Sequence, residues 1–116
     1  MNIAPIRLQL RRFKGFNLQA LSRETNGREA VNCARPSRWG NPCRVGQFKG
    51  YSAADAVADF RRWLAREPCV RSFENVFGKP PATETIIAEL RGKNLACFCA
   101  PGAPCHVDVL LEIANR

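Results

Sequence analysis

One stretch constrains this chain more than any other: Asn94-Leu95-Ala96-Cys97-Phe98-Cys99-Ala100-Pro101-Gly102-Ala103-Pro104-Cys105-His106. Leu95–Cys99 is short, apolar and entered directly from a helix end, which predicts a buried strand. Two prolines and a glycine then forbid regular structure. A helix follows from about Cys105, carrying Val107, Leu110, Leu111 and Ala114 at helical spacing. A strand feeding a helix through a short loop is the unit of α/β folds, and ligands of such folds sit at strand ends. The same stretch holds three of the six cysteines and the single histidine.

Cys97 and Cys99 are two apart on a strand and point to one face. Cys105 and His106 occupy the first turn of the next helix, where free N–H groups favour an anion and stabilise a thiolate. Three chemistries are open. Cys97, Cys99, Cys105 and His106 supply the Cys₃His set of zinc sites, although C-x-C and C-H spacings are not those of zinc knuckles. Alternatively the residues line a pocket for an anion or nucleotide, with Cys105 or Cys97 as nucleophile and His106 as acid/base. Or the thiols are small core hydrophobes and the histidine caps a helix. Cys33, Cys43 and Cys69 read as packing residues.

Upstream, residues 5–11 alternate, with Ile6, Leu8 and Leu10 on one face and Arg7, Gln9 and Arg11 on the other. That is a half-buried strand with a basic outer face, followed by a turn at Gly15. Residues 17–28 are polar and read as a loop or short helical turn. A second strand is expected at 30–34. The loop Arg35-Pro36-Ser37-Arg38-Trp39-Gly40-Asn41-Pro42 is a candidate site, because so distinctive a loop carries binding groups. Arg38 would pair a phosphate bidentately, and Trp39 would stack on a base or anchor the turn in the core. Gly40 belongs to the same loop, and Asn41 would read a polar edge. A helix is predicted over 52–66, opened by Ser52 and Asp55 as a capping box. Residues 69–80 form a connector with Phe73, Val76 and Phe77 covering core edges. A further helix runs over 82–91, with Gly92 just past its end. No internal repeat is visible.

The order predicts one small α/β domain over 1–116, with a mixed sheet of few strands packed by about three helices. Charge is uneven. Residues 1–50 hold ten Lys/Arg and two acids, whereas residues 51–116 hold eight of each. One-sided charge points to a polyanion partner, with Arg7, Arg11, Arg12 and Lys14 as candidate nucleic-acid contacts. No apolar run is long enough to span a bilayer, and Arg7, Arg11, Arg12 and Lys14 break any N-terminal apolar segment. A cytoplasmic protein with reduced thiols is expected.

These blocks resemble the bacterial and phage family catalogued as domain of unknown function 4326. The resemblance rests on Pro5–Arg12 with Lys14-Gly15-Phe16, on Arg35–Pro42, on Leu90-Arg91-Gly92-Lys93 and on Leu95–His106. It implies that Trp39, Gly40, Asn41, Cys97, Cys99, Cys105 and His106 form a common site. It implies no particular reaction. Phe16 and Phe98 stand where the family usually has Trp, Cys43 where it has Phe, and Val107 where it has Gly. The last change should narrow access at the helix start.

The sequence therefore favours a pocket with no resident cofactor, with zinc as the alternative. Its ligand would be a nucleotide or a nucleic-acid end, with possible partners extending to an acidic or host protein.

Overall fold

The computed structural model describes residues 4–46 and 48–116. Three strands, β1 (Arg7–Gln9), β2 (Ala30–Asn32) and β3 (Asn94–Cys97), form one sheet in the order β1-β3-β2. Both pairings are parallel, with Leu8 opposite Ala96 and Val31 opposite Leu95. Five helices accompany them: α1 (Leu18–Asn26), α2 (Ala53–Leu64), α3 (Phe73–Phe77), α4 (Thr83–Leu90) and α5 (His106–Ala114). The fold is α/β as expected, but the sheet is wholly parallel rather than mixed. No tight hairpin separates the strands; each connection carries helices, and only parallel pairing needs such crossovers.

The central strand is buried at all four positions, which follows from neighbours on both edges. Strand β1 buries only Leu8, flanked by the part-exposed Arg7 and Gln9. Helix α5 packs on β1 and β3 and is covered in turn by α2 and α4. Its buried stripe of Val107, Val109, Leu110 and Ile113 meets Phe60 and Trp63 of α2 and Leu90 of α4 in one core. Ser52 caps α2 through the expected box, its hydroxyl accepting from the Asp55 N–H and the Asp55 carboxylate accepting from the Ser52 N–H.

Five expectations need correction. Residues 17–28 hold the nine-residue helix α1, capped by the Asn17 side chain on the Ala20 N–H. Its apolar face is too small to stand out, and the cap and terminal Gly27 were the available signals. The 69–80 connector contains α3, preceded by a 3₁₀ turn at Pro68–Val70. Val76 there is 76% exposed rather than a core cover, and Cys69 is exposed rather than packed. The strands are also shorter than the alternation suggests, because the side-chain pattern continues after the ladder has run out of partners. Among the described residues no helix is long and apolar enough to cross a membrane.

The start of β3 is pinned by one amide. Asn94 is fully buried. Its Nδ2 donates to Ser22 Oγ at 2.8 Å and Asn26 Oδ1 at 2.7 Å, and its Oδ1 accepts from the Ile6 N–H and from Asn26 Nδ2. One side chain thus ties the central strand to α1 and to the entry of β1. Asn94→Leu removes every one of these bonds and strands buried donors and acceptors. It should cost about 3 kcal/mol or more of unfolding free energy, read as a lower denaturation midpoint in urea.

Candidate functional site

All three strands point the same way, so their C-terminal ends share one edge of the sheet. Beyond that edge lies a cavity of about 460 Å³, within the range of small-ligand sites. Each strand exit contributes: Arg12 after β1, Ala34, Arg35, Asn41 and Cys43–Val45 after β2, and Cys97–Cys99 with Pro104–His106 from β3 to α5. The start of α2 closes the remaining side through Ala53, Ala56 and Val57. Among the described residues, three arginines line the cleft and no carboxylate does.

The sulfurs of Cys97, Cys99 and Cys105 lie within 4.8 Å of one another. Cys97 and Cys99 approach to 3.8 Å. Cys97 ends β3, and Cys99 has already left the strand, yet the two thiols still share a face. Cys105 is the N-cap residue of α5 and makes no capping bond with its own side chain. All six cysteines are free thiols. His106 is fixed from behind: its Nε2 lies 2.8 Å from the Cys33 carbonyl, which can only accept. The ring therefore keeps a proton on Nε2 and turns Nδ1 towards the thiols, 3.9 Å from Cys105 Sγ. The edge-on packing of Phe60 and the imidazole, 5.2 Å apart, holds the ring plane.

This arrangement separates the thiols electrically. Cys97 is held well below the ordinary thiol range, chiefly because it accepts a hydrogen bond from Cys105, with His106 and the Cys99 N–H adding to the effect against burial. Cys105 is pushed up, first by donating that bond and then by burial. Cys99 is raised by burial and by the neighbouring Cys97 charge. The cluster is therefore one thiolate at Cys97 solvated by the protons around it. Cys33, fully buried, is pushed up to about 12 by desolvation and is inert.

The 35–42 loop supplies different groups from those its sequence suggests. Arg38 stacks over Trp39 at 4.6 Å and pairs with Glu89 at 3.1 Å, and it is absent from the cleft lining. Trp39 is 6% exposed and belongs to the core, so it anchors the loop rather than meeting a ligand. Gly40 serves close packing: a Cβ there would meet the Arg35 backbone at 3.0 Å. Asn41 does line the cleft, but its amide is spent on the Ala56 carbonyl and the Cys43 N–H. Arg35 reaches the cleft instead, braced by donating to the Asn41 carbonyl at 2.7 Å. Nothing in the sequence distinguishes Arg35 from Arg38; only the loop path does. Sequence reasoning also missed Arg44, which follows the buried Cys43 into the lining.

Among the basic residues of the N-terminal half, Arg7 is committed internally. It donates to the carbonyls of Ala100 and Ala103 and pairs with Asp108, bracing the thiol-bearing loop against β1. Arg11 and Lys14 are exposed, and Arg12 lies over the Phe98 ring at 4.0 Å on the cleft wall. Val107 is fully buried and does not line the cleft, so it does not narrow the entrance.

No solved structure matches the chain. An uncharacterised 12.4 kDa protein from the nrdA–td intergenic region of Enterobacteria phage T4 is 35% identical over 86 residues, covering 74% of this chain and 68% of that protein. The family profile described as "Domain of unknown function (DUF4326)" matches residues 16–116, a span that includes the whole thiol cluster and the 35–42 loop. The chain belongs to the DUF4326 family.

Proposed function

We propose that this domain is a metal-dependent ligand-binding centre. Zn²⁺ is held by Cys97, Cys99 and Cys105, and a phosphate-bearing ligand, a nucleotide or a nucleic-acid end, occupies the cleft above it. The convergence of three sulfurs on the floor of an arginine-lined cleft carries this reading. Tetrahedral zinc with Zn–S of about 2.3 Å sets its sulfurs roughly 3.8 Å apart, and Cys97 and Cys99 stand 3.8 Å apart. Three protein ligands leave a fourth position, the pattern of zinc sites that act on a bound group rather than only hold a fold. The three sulfurs line the cleft, so a ligand bound there would be at hand to complete the set. Arg12, Arg35 and Arg44 would neutralise an anion there, and the first N–H groups of α5 add to the field.

A second reading has its own support. Without metal, the depressed thiol of Cys97 is a nucleophile ready at neutral pH, with His106 nearby as proton carrier. The two readings part on metal content.

Protein purified without chelator should carry about one Zn²⁺ per chain, measured by atomic emission. Cys105→Ser should remove most of it and lower the melting temperature, because metal binding to a folded site is folding free energy. Parent protein free of zinc, with the variant melting as the parent does, would leave the thiolate reading standing alone.

The metal-free protein offers a pH test. A thiol held below its ordinary range stays ionised as the medium acidifies, so its alkylation falls off only at lower pH. In chelator, iodoacetamide should still modify Cys97 at about pH 5, where glutathione as reference thiol has nearly ceased to react. Cys97 labelling that tracks glutathione would show an ordinary thiol.

Arg44→Ala should weaken binding of a nucleoside phosphate by about tenfold, the effect expected for one lost charge-assisted bond, with zinc content unchanged. Calorimetric titration reads the affinity.

A further inference from the structure

Two copies of one small device follow residues that line the cleft. Phe13-Lys14-Gly15-Phe16 follows the cleft-lining Arg12, and Phe48-Lys49-Gly50-Tyr51 follows the cleft-lining Arg44 and Val45. Four residues are too few to register as a sequence repeat, but the structures also match. In each turn the fourth N–H donates to the first carbonyl, at 3.2 Å from Phe16 to Phe13 and at 3.1 Å from Tyr51 to Phe48. Each glycine takes a left-handed φ, +90° and +80°, which residues with a Cβ adopt only at a cost. The first and fourth rings meet edge to face at 5.5 and 5.6 Å.

Each turn has an anchored ring and a presented ring. Phe16 packs against the core, and Tyr51 donates its hydroxyl to Asp59 at 2.6 Å. Phe13 and Phe48 instead stand 59% and 63% exposed. Beside each stands an exposed lysine. Among the described residues no carboxylate pairs with Lys14, Lys49, Arg12 or Arg44, although six other ion pairs form elsewhere on the chain. Burial does not account for either presented ring, and ion pairing does not account for the cations beside them.

We infer that the twin turns grip a single-stranded nucleic acid beside the cleft, Phe13 and Phe48 stacking on bases while Lys14 and Lys49 meet the flanking phosphates. Exposed rings interleaved with unpaired cations are what an unpaired strand requires, since its bases offer open faces and its backbone tracks the charge. A duplex hides those faces within its stack. An acidic protein segment would use the lysines but has no general need of two projecting phenyl rings. The inference goes beyond the metal-centred reading and is separable from it, because no residue of either turn belongs to the thiol cluster.

The test is fluorescence anisotropy on the full chain with a fluorescein-labelled twelve-residue oligothymidylate and with the matching duplex. The single strand should bind at least about tenfold more tightly than the duplex. The double variant Phe13→Ala with Phe48→Ala should weaken single-strand binding by at least about tenfold, since each stacked base contributes severalfold or more. Its salt dependence should stay as in the parent. The pair Lys14→Gln with Lys49→Gln should instead flatten the plot of log affinity against log salt by about 1.4, two phosphate contacts at about 0.7 each. All four positions are exposed, and unchanged circular dichroism and melting temperature verify the fold. Zinc content of both double variants should equal the parent's, since neither turn contributes to the thiol cluster, which separates failure here from failure of the metal reading. Equal affinity for duplex and single strand, or a Phe13/Phe48 variant that binds as the parent does, would overturn the proposal.

Discussion

The amide of Asn94 holds the fold at the point where it could most easily come apart. A strand that enters a sheet between two others must be registered against both. Backbone ladders of three residues on either edge are too short to fix that register firmly. Asn94 fixes it with a side chain, in reciprocal contact with Asn26, donating to Ser22 and accepting from the entry of β1. Because the group is wholly buried, water cannot substitute for any of these partners, and a slip of one residue would leave them all unmatched. Everything at the other end of β3 inherits its position from this contact. Cys97 sits three residues along a strand whose start is fixed.

The thiol cluster shows how a site is assembled from backbone direction and little else. Parallel strands deliver their exits to one edge, and there the described residues supply three sulfurs, a histidine and three arginines without a carboxylate among them. Crowding thiols around one another in partial burial is unfavourable if more than one ionises. The structure resolves this by concentrating the negative charge on Cys97 and keeping the proton on Cys105. A divalent cation would relieve the same crowding more completely, because it lets all three sulfurs carry charge. His106 also adds orientation: its bond to the Cys33 carbonyl links the exit of β2 to the first turn of α5 across the floor of the cleft.

The sequence was most legible where a local pattern had a single physical meaning. The Ser52–Asp55 box, the stripe of α2, the buried run of β3 and the thiol-bearing loop all lie close to where periodicity and capping put them. Legibility failed where the deciding partner was far along the chain. Arg35 and Arg38 are indistinguishable on paper, and a distant glutamate on α4 takes one of them out of the cleft. Trp39 carries the residue type of a ligand platform but is consumed by the core. Arg7 looks like an outward-facing strand cation, and it turns out to brace a loop 93 to 96 residues away. Helix α1 was lost because its inward face is largely polar: Ser22 is buried there, hydrogen-bonded to Asn94 and to the Arg28 carbonyl. A polar residue that earns its burial through a remote amide has no signature in its own neighbourhood.

The β1-β3-β2 order carries a consequence for how the chain acquires its structure in time. Both edge strands lie within the first 32 residues, and they cannot complete each other because the slot between them belongs to residues 94–97. During synthesis, then, no sheet exists until well over half the chain has been made, and the earlier segments wait with their edges unpaired. Contacts of such long sequence separation make for slow topological closure. Closure, when it comes, is nearly simultaneous with completion of the site, since Cys97, Cys99, Cys105 and His106 all lie in or just beyond the strand that fills the slot. Folding and the birth of the functional centre are in this protein a single late event.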